Sequence, residues 1–164
     1  MCGISGQYSL NNQEINQLKN KLIMMSRILE HRGPDGNGIW MSERKNIGFM
    51  HRRLSIIDIS ENGSQPMKSI DKNVITYNGE IYNYLELKST LSNYWEFKSK
   101  SDTEVILAAY SYYGFDCLKY LRGMFSFALY DYEIDLLFCA RDRFGIKPFY
   151  YSNKNNKFIF ASEP

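Results

Sequence analysis

Strand-forming segments crowd both ends of this chain, and that arrangement limits the folds open to it. Residues Gly3–Ser9 alternate small, apolar and polar side chains almost from the first residue, the period of two expected of a strand. After Gly123, residues 125–131, 136–141, 149–152 and 158–161 read as two hairpin-like pairs, joined by Tyr132-Glu133-Ile134-Asp135 and by residues 153–157. Further short strands at 38–41, 47–52, 54–59 and 74–77 are separated by Gly, Asn, Ser and Asp. Two helices interrupt them. Ile15, Leu18, Leu22, Met25 and Leu29 recur at helical spacing, with Asn11 or Asn12 to cap the segment and Gly33-Pro34 to close it. Ser101-Asp102-Thr103-Glu104 has the spacing of a capping box ahead of Val105, Ile106, Ala109, Tyr110 and Tyr113, with Gly114 as the stop. Residues Tyr84–Leu91 are a third helical candidate. Antiparallel pairs at both ends around two helices favour two packed sheets flanked by helices.

The abundance of 13 Tyr and 10 Phe supports a folded, sheet-rich protein. At 164 residues the chain is read as one domain, spanning 1–164, that can bury a core without disulfides or metals. The net charge is only +2 and the basic residues are dispersed, so neither a nucleic-acid nor a membrane-surface partner is expected. Three cysteines, Cys2, Cys117 and Cys139, do not form a secreted disulfide framework, and the amino terminus has no signal-peptide pattern; a cytoplasmic setting is expected. No apolar stretch approaches the roughly 20 residues that span a bilayer. Asn62-Gly63-Ser64 reads as a turn. The sequence stops directly after a strand, at Ala161-Ser162-Glu163-Pro164, which suggests a piece of something longer.

Once Met1 is removed, Cys2 carries a thiol and a free α-amine on one residue, a nucleophile beside a candidate base. The amine titrates near 7.7 to 8.0 and the thiol near 8.5, so at neutral pH part of the amine can take the thiol proton. The other reading of Cys2 is an inert, small apolar residue. His31-Arg32-Gly33-Pro34-Asp35-Gly36-Asn37-Gly38 has the composition of a turn-rich loop. Arg53, in His51-Arg52-Arg53-Leu54-Ser55-Ile56-Ile57-Asp58, is either a solvated arginine or a fork for a carboxylate. Asn78-Gly79 is either a hairpin turn or the pairing of a side-chain amide with a backbone N–H that holds an oxyanion in acyl transfer. Asp102, in the first turn of its helix, either complements the helix dipole or binds the ammonium of an amino acid whose carboxylate meets Arg53. Cys2, Cys117, Cys139, His31 and His51 lack the close spacing of zinc ligands, and no phosphate-binding glycine loop is present, so no metal is assigned.

Cys2-Gly3-Ile4, Arg32-Gly33-Pro34-Asp35-Gly36, Arg53-Leu54-Ser55-Ile56-Ile57-Asp58, Gln65-Pro66, Asn78-Gly79-Glu80-Ile81-Tyr82-Asn83 and Ser101-Asp102-Thr103-Glu104 follow one another in order. With Gly123-Met124-Phe125-Ser126-Phe127-Ala128, Arg141-Asp142-Arg143-Phe144-Gly145-Ile146-Lys147-Pro148 and Ala161-Ser162-Glu163, they resemble the glutaminase domain of glutamine-hydrolysing asparagine synthetases. These are class II glutamine amidotransferases of the N-terminal nucleophile superfamily. The resemblance implies an α+β, four-layer αββα sandwich in which Cys2 attacks the side-chain amide of L-glutamine. It further implies that Asn78 and Gly79 hold the oxyanion, that Arg53 and Asp102 hold the substrate's α-carboxylate and α-amino groups, and that Glu80 and the backbone near Ile57 line the bound glutamine.

The loop by which such proteins activate aspartate with ATP is absent from these residues, so ATP and magnesium are expected only in a separate synthetase domain. No cofactor is expected here. The oligomeric state stays open, a homodimer being one candidate. Two alternatives accompany the glutaminase reading: a non-catalytic amino-acid-binding or regulatory module of the same fold, and the glutaminase of a sugar- or antibiotic-modifying amidotransferase.

Overall fold

The computed structural model describes residues 1–54 and 61–164. Its described strands form two antiparallel sheets. One sheet joins β1 (Gly3–Ser9), β2 (Gly36–Met41), β3 (Ile47–Arg53), β8 (Tyr150–Lys154) and β9 (Lys157–Ala161) in the order β2-β3-β1-β9-β8. The other joins β4 (Met67–Lys68), β5 (Val74–Ile81), β6 (Gly123–Asp131) and β7 (Leu136–Arg141) in the order β4-β5-β6-β7. The strand at the very start of the chain therefore lies in the middle of a sheet, clamped by β3 on one side and β9 on the other.

Three separate apolar clusters define four layers. Helix α1 (Leu18–Ile28) covers the outer face of the first sheet, where Leu18 and Leu22 pack with Ile15, Leu29 and Met50. Between the sheets lie Ile4, Ile47, Phe49, Val74, Ala128, Tyr130 and Phe160. Beyond the second sheet, Ile75, Tyr77, Phe125 and Phe127 meet α2 (Tyr84–Leu91) and α3 (Asp102–Tyr113). The result is an αββα sandwich, with the period of two on β5 sending Tyr77 toward α3 and its neighbour Asn78 toward the first sheet. Phe49, Phe127 and Phe160 are fully buried, each worth roughly 1.5–3 kcal/mol of apolar transfer. Gly6 makes room for one of them: a Cβ there would lie 2.7 Å from the Phe160 ring.

Several expectations need correction. The first helix begins at Leu18, not at an asparagine cap; Gln17 precedes it in a left-handed conformation (φ 55°) without a side-chain cap. Asn12 is itself left-handed, and its side chain reaches Asp135 and Asn46 instead. Ile15 is buried before the helix starts, its N–H bonded to Lys45 O at 2.9 Å, so the apolar period continues through a turn that is not helical. At α3 the Ser101 hydroxyl accepts from Thr103 N at 3.2 Å, but Glu104 does not close the expected box. Its carboxylate reaches further back, to Lys98 N, Ser99 N and the Ser99 hydroxyl. Asn78-Gly79 is not a turn, since β5 runs straight through it to Ile81 and stays in register with β6. The two-residue strand β4 had no alternation to announce it. In the expected strand at 54–59, Leu54 is outside any strand, and the remainder lies outside the described residues.

Candidate active site

Cys2 sits immediately ahead of β1, at the end of the first sheet where β3 finishes. Leu54, just past β3, donates its backbone N–H to the Cys2 sulfur at 3.4 Å and accepts from the thiol at 3.7 Å. Burial pushes the thiol up from its ordinary value of 9.0, against the opposing pull of the Leu54 backbone, the terminal ammonium and Arg53. The resting sulfur is therefore a protonated thiol at neutral pH, and it needs a base before it can attack anything. The Cys2 carbonyl is held by Arg32 Nε at 3.1 Å.

Beside the sulfur opens a cavity of about 130 Å³ lined by Cys2, Arg53, Asn78, Gly79, Glu80 and Asp102. Those are all the site residues expected from sequence except Ile57, which lies outside the described residues. Strand alternation explains how β5 serves this cavity. Tyr77 N–H donates to Gln65 Oε1 at 2.7 Å and Ile81 N–H donates to Asp102 Oδ2 at 2.9 Å, so both point away from β6 toward the edge where β4 has ended. Gly79 N–H, midway between them, faces the same edge because alternate amides of a strand share a side. Gly79 is also required sterically, since a Cβ would meet the Met124 carbonyl and lie 2.7 Å from Phe125 Cα. Asn78 is 2 % exposed, and its Nδ2 has no hydrogen-bond partner among the described residues. A buried amide donor left unpaired costs about 1–3 kcal/mol, which an acceptor arriving in the cavity would recover.

Asp102 is buried at the start of α3. Burial raises its carboxyl above the ordinary 3.8, while the Tyr77 hydroxyl at 2.6 Å and Ile81 N–H pull it back down. Arg53, the last residue of β3, also lines the cavity, and its charge acts on the Cys2 thiol. Glu80 lies at its exposed rim.

Sequence reasoning missed the groups that support these. His51, considered there only as a metal ligand, is fully buried against Tyr77 O at 3.2 Å, and burial drives it down to about 3, so it is neutral. Thr103 holds Gln65 Nε2 at 3.2 Å. Lys147 is buried with its Nζ 3.3 Å from Met1 Sδ, carried there by a loop in which Asp142 accepts from the amides of Phe125, Phe144, Ile146 and Lys147. Gln65, Thr103 and Lys147 lie in segments quoted from the sequence but received no role there, because the partners of His51, Thr103 and Lys147 lie 26, 38 and 146 residues away. Cys117 and Cys139 belong to different cores, and among the described residues no three His, Cys, Asp or Glu side chains gather as a metal site.

A family model described as a glutamine amidotransferase domain matches residues 1–164. This chain belongs to that family. The amidotransferase domain is 44% identical to the putative glutamine-hydrolysing asparagine synthetase 2 of Methanocaldococcus jannaschii, over 99% of this chain and 34% of that protein. It is 43% identical to the glutamine-hydrolysing asparagine synthetase 1 of Bacillus subtilis, over 99% of this chain and 26% of that protein. The domain thus spans about a third or a quarter of the length of these relatives. Among solved structures, glutamine phosphoribosylpyrophosphate amidotransferase from Bacillus subtilis, in complex with ADP and GMP, aligns with a TM-score of 0.79 at 20% identity, over 98% of this chain and 42% of that one. The four-layer α+β sandwich of this amidotransferase domain is the N-terminal nucleophile fold. No described helix is long and apolar enough to cross a membrane.

Proposed function

We propose that this domain hydrolyses the side-chain amide of L-glutamine to glutamate and ammonia through a thioester on Cys2, after removal of Met1. The reading is carried by the buried Asn78 Nδ2, unpartnered among the described residues, which shares a cavity with the Cys2 thiol. With Met1 attached, the Cys2 nitrogen is an amide and cannot act as a base. Once freed, the α-amine takes the thiol proton as sulfur bonds to the carboxamide carbon of glutamine. The carbonyl oxygen becomes an oxyanion received by Asn78 Nδ2 and Gly79 N–H. The α-ammonium returns its proton to the leaving nitrogen, the C–N bond breaks, and ammonia departs. Water, deprotonated by the same amine, then attacks the thioester, and glutamate and the thiol are regenerated.

Arg53 and Asp102 hold the two ends of the amino acid, with the Arg53 guanidinium at the α-carboxylate and the Asp102 carboxylate at the α-ammonium. Glu80 and the backbone near Ile57 complete the surround of the side chain. In this reading the domain is one unit of a longer protein, and its ammonia feeds an ATP-dependent synthetase domain that converts aspartate to asparagine. ATP and magnesium belong to that domain, and hydrolysis of glutamine needs no cofactor. The three free thiols suit a reducing cytoplasm.

Glutamate release by protein lacking Met1 is the test, set against Cys2→Ala and against protein whose terminus is blocked by an uncleaved tag. Release only by the first is expected. Equal rates in all three overturn the proposal.

A further inference from the structure

We propose that Tyr77 is a positioning residue for substrate binding: its hydroxyl holds the Asp102 carboxylate in the orientation that receives the ammonium of the amino acid. The inference rests on the glutaminase reading above. Tyr77 is anchored at three points. Its N–H donates to Gln65 Oε1 at 2.7 Å, its carbonyl lies 3.2 Å from His51 Nε2, and its hydroxyl donates to Asp102 Oδ2 at 2.6 Å. The neutral His51 and the Gln65 amide hold the backbone of Tyr77 in place, and its ring is buried. It crosses the apolar cluster beneath α3 and delivers the hydroxyl to the first turn of that helix.

The donors that other residues offer the Asp102 side chain, Tyr77 O–H and Ile81 N–H, both act on Oδ2, and its own backbone N–H also favours the charged form. Among the described residues, Oδ1 accepts no hydrogen bond from another residue. Two donors on one oxygen fix the plane of the carboxyl group and leave the other oxygen for an incoming cation. The titratable and charged groups around this carboxylate are Tyr77 and Glu80 on β5 and Cys2 ahead of β1, with the neutral His51 and Arg53 on β3 and Lys147 after β7 lining the same cavity. Loss of the tyrosine hydroxyl removes a bond that favours the charged form of Asp102, so the carboxylate would protonate at higher pH than before.

The test is Tyr77→Phe in protein lacking Met1. KM for L-glutamine is expected to rise about tenfold while kcat stays within about twofold, the scale of losing one hydrogen bond to a charged group. The acid limb of kcat/KM is expected to move to higher pH. In an Asp102→Asn background, the added Tyr77→Phe change should alter KM by less than about twofold, because the two residues act as one unit. Tyr130→Phe is the control: it removes another buried hydroxyl, one that donates to Asp135 at 2.7 Å, and should change neither KM nor the acid limb. An unchanged KM and acid limb in Tyr77→Phe, an undiminished effect in the Asp102→Asn background, or an equal effect from Tyr130→Phe overturns the proposal. If Tyr77→Phe does not fold, the unaltered protein serves. The Tyr77 hydroxyl proton, followed by NMR, should shift when L-glutamate is added, and a resonance that does not move is equally fatal. Protein lacking Met1 and otherwise unaltered that releases no glutamate would sink the glutaminase reading instead, and the NMR experiment would still decide the part assigned to Tyr77.

Discussion

Arg32 Nη1 lies 2.8 Å from Glu163 Oε1, and Nε of the same guanidinium donates to the Cys2 carbonyl at 3.1 Å. The residue before the first strand is thereby tied to the residues that follow the last one. The tie is reinforced by Ser162, whose hydroxyl accepts from Ile4 N at 3.0 Å and whose own N–H donates to Ile4 O at 2.9 Å. Arg32→Lys keeps the charge but loses the fork. Its kcat for glutamate release is expected to fall by about tenfold to a hundredfold, as for a nucleophile displaced by a fraction of an ångström, with KM little changed. Steady-state kinetics check this, and a change confined to KM would contradict it.

Asn78→Ala removes the buried amide donor but none of the groups that grip the ends of the amino acid. The expected result is a loss of about a hundredfold to a thousandfold in kcat with KM nearly unchanged. A rise in KM at constant kcat would mean that Asn78 binds ground-state substrate instead.

Asp142 gathers four backbone amides on one carboxylate, and this holds the loop that carries Lys147 to the cavity. Burial would raise its pKa, but these bonds outweigh burial and hold it below the ordinary 3.8. Its stabilising effect is therefore complete above that value and is lost as pH falls through the lower folded one. Asp142→Asn is expected to cost about 3 kcal/mol at pH 7, since bonds to a charged acceptor are worth more than neutral ones. Urea denaturation at pH 7 and again near pH 3 checks it: the gap between the two proteins should narrow in acid.

Burial raises all three thiols but not alike: Cys117 and Cys139 are pushed up to about 12, and Cys2 is moved less. Iodoacetamide is therefore expected to modify Cys2 first. In protein that retains Met1, the alkylation rate should still be climbing as pH passes 9. Peptide mass mapping over a pH series reads both results, and earlier labelling of Cys139 would refute the ordering.

The sequence alone determined what depends on near neighbours. Strand β1 was legible from alternation over Gly3–Ser9, and β7 and α2 keep the limits expected of them, because period and punctuation act over a few residues. The family motifs named the cavity's principal residues, but in Asn78-Gly79 a local turn signal competed with the strand, and register with β6 prevailed. Tertiary structure alone decided which amides of β5 face the open edge, that Tyr77 and Asp102 bond to each other, and that Arg32 grips Cys2. These pairs are separated by 25 and 30 residues along the chain. The physical reason is that such contacts exist only after two sheets have stacked and closed their common end, and no local pattern encodes which distant partner then falls within hydrogen-bonding reach.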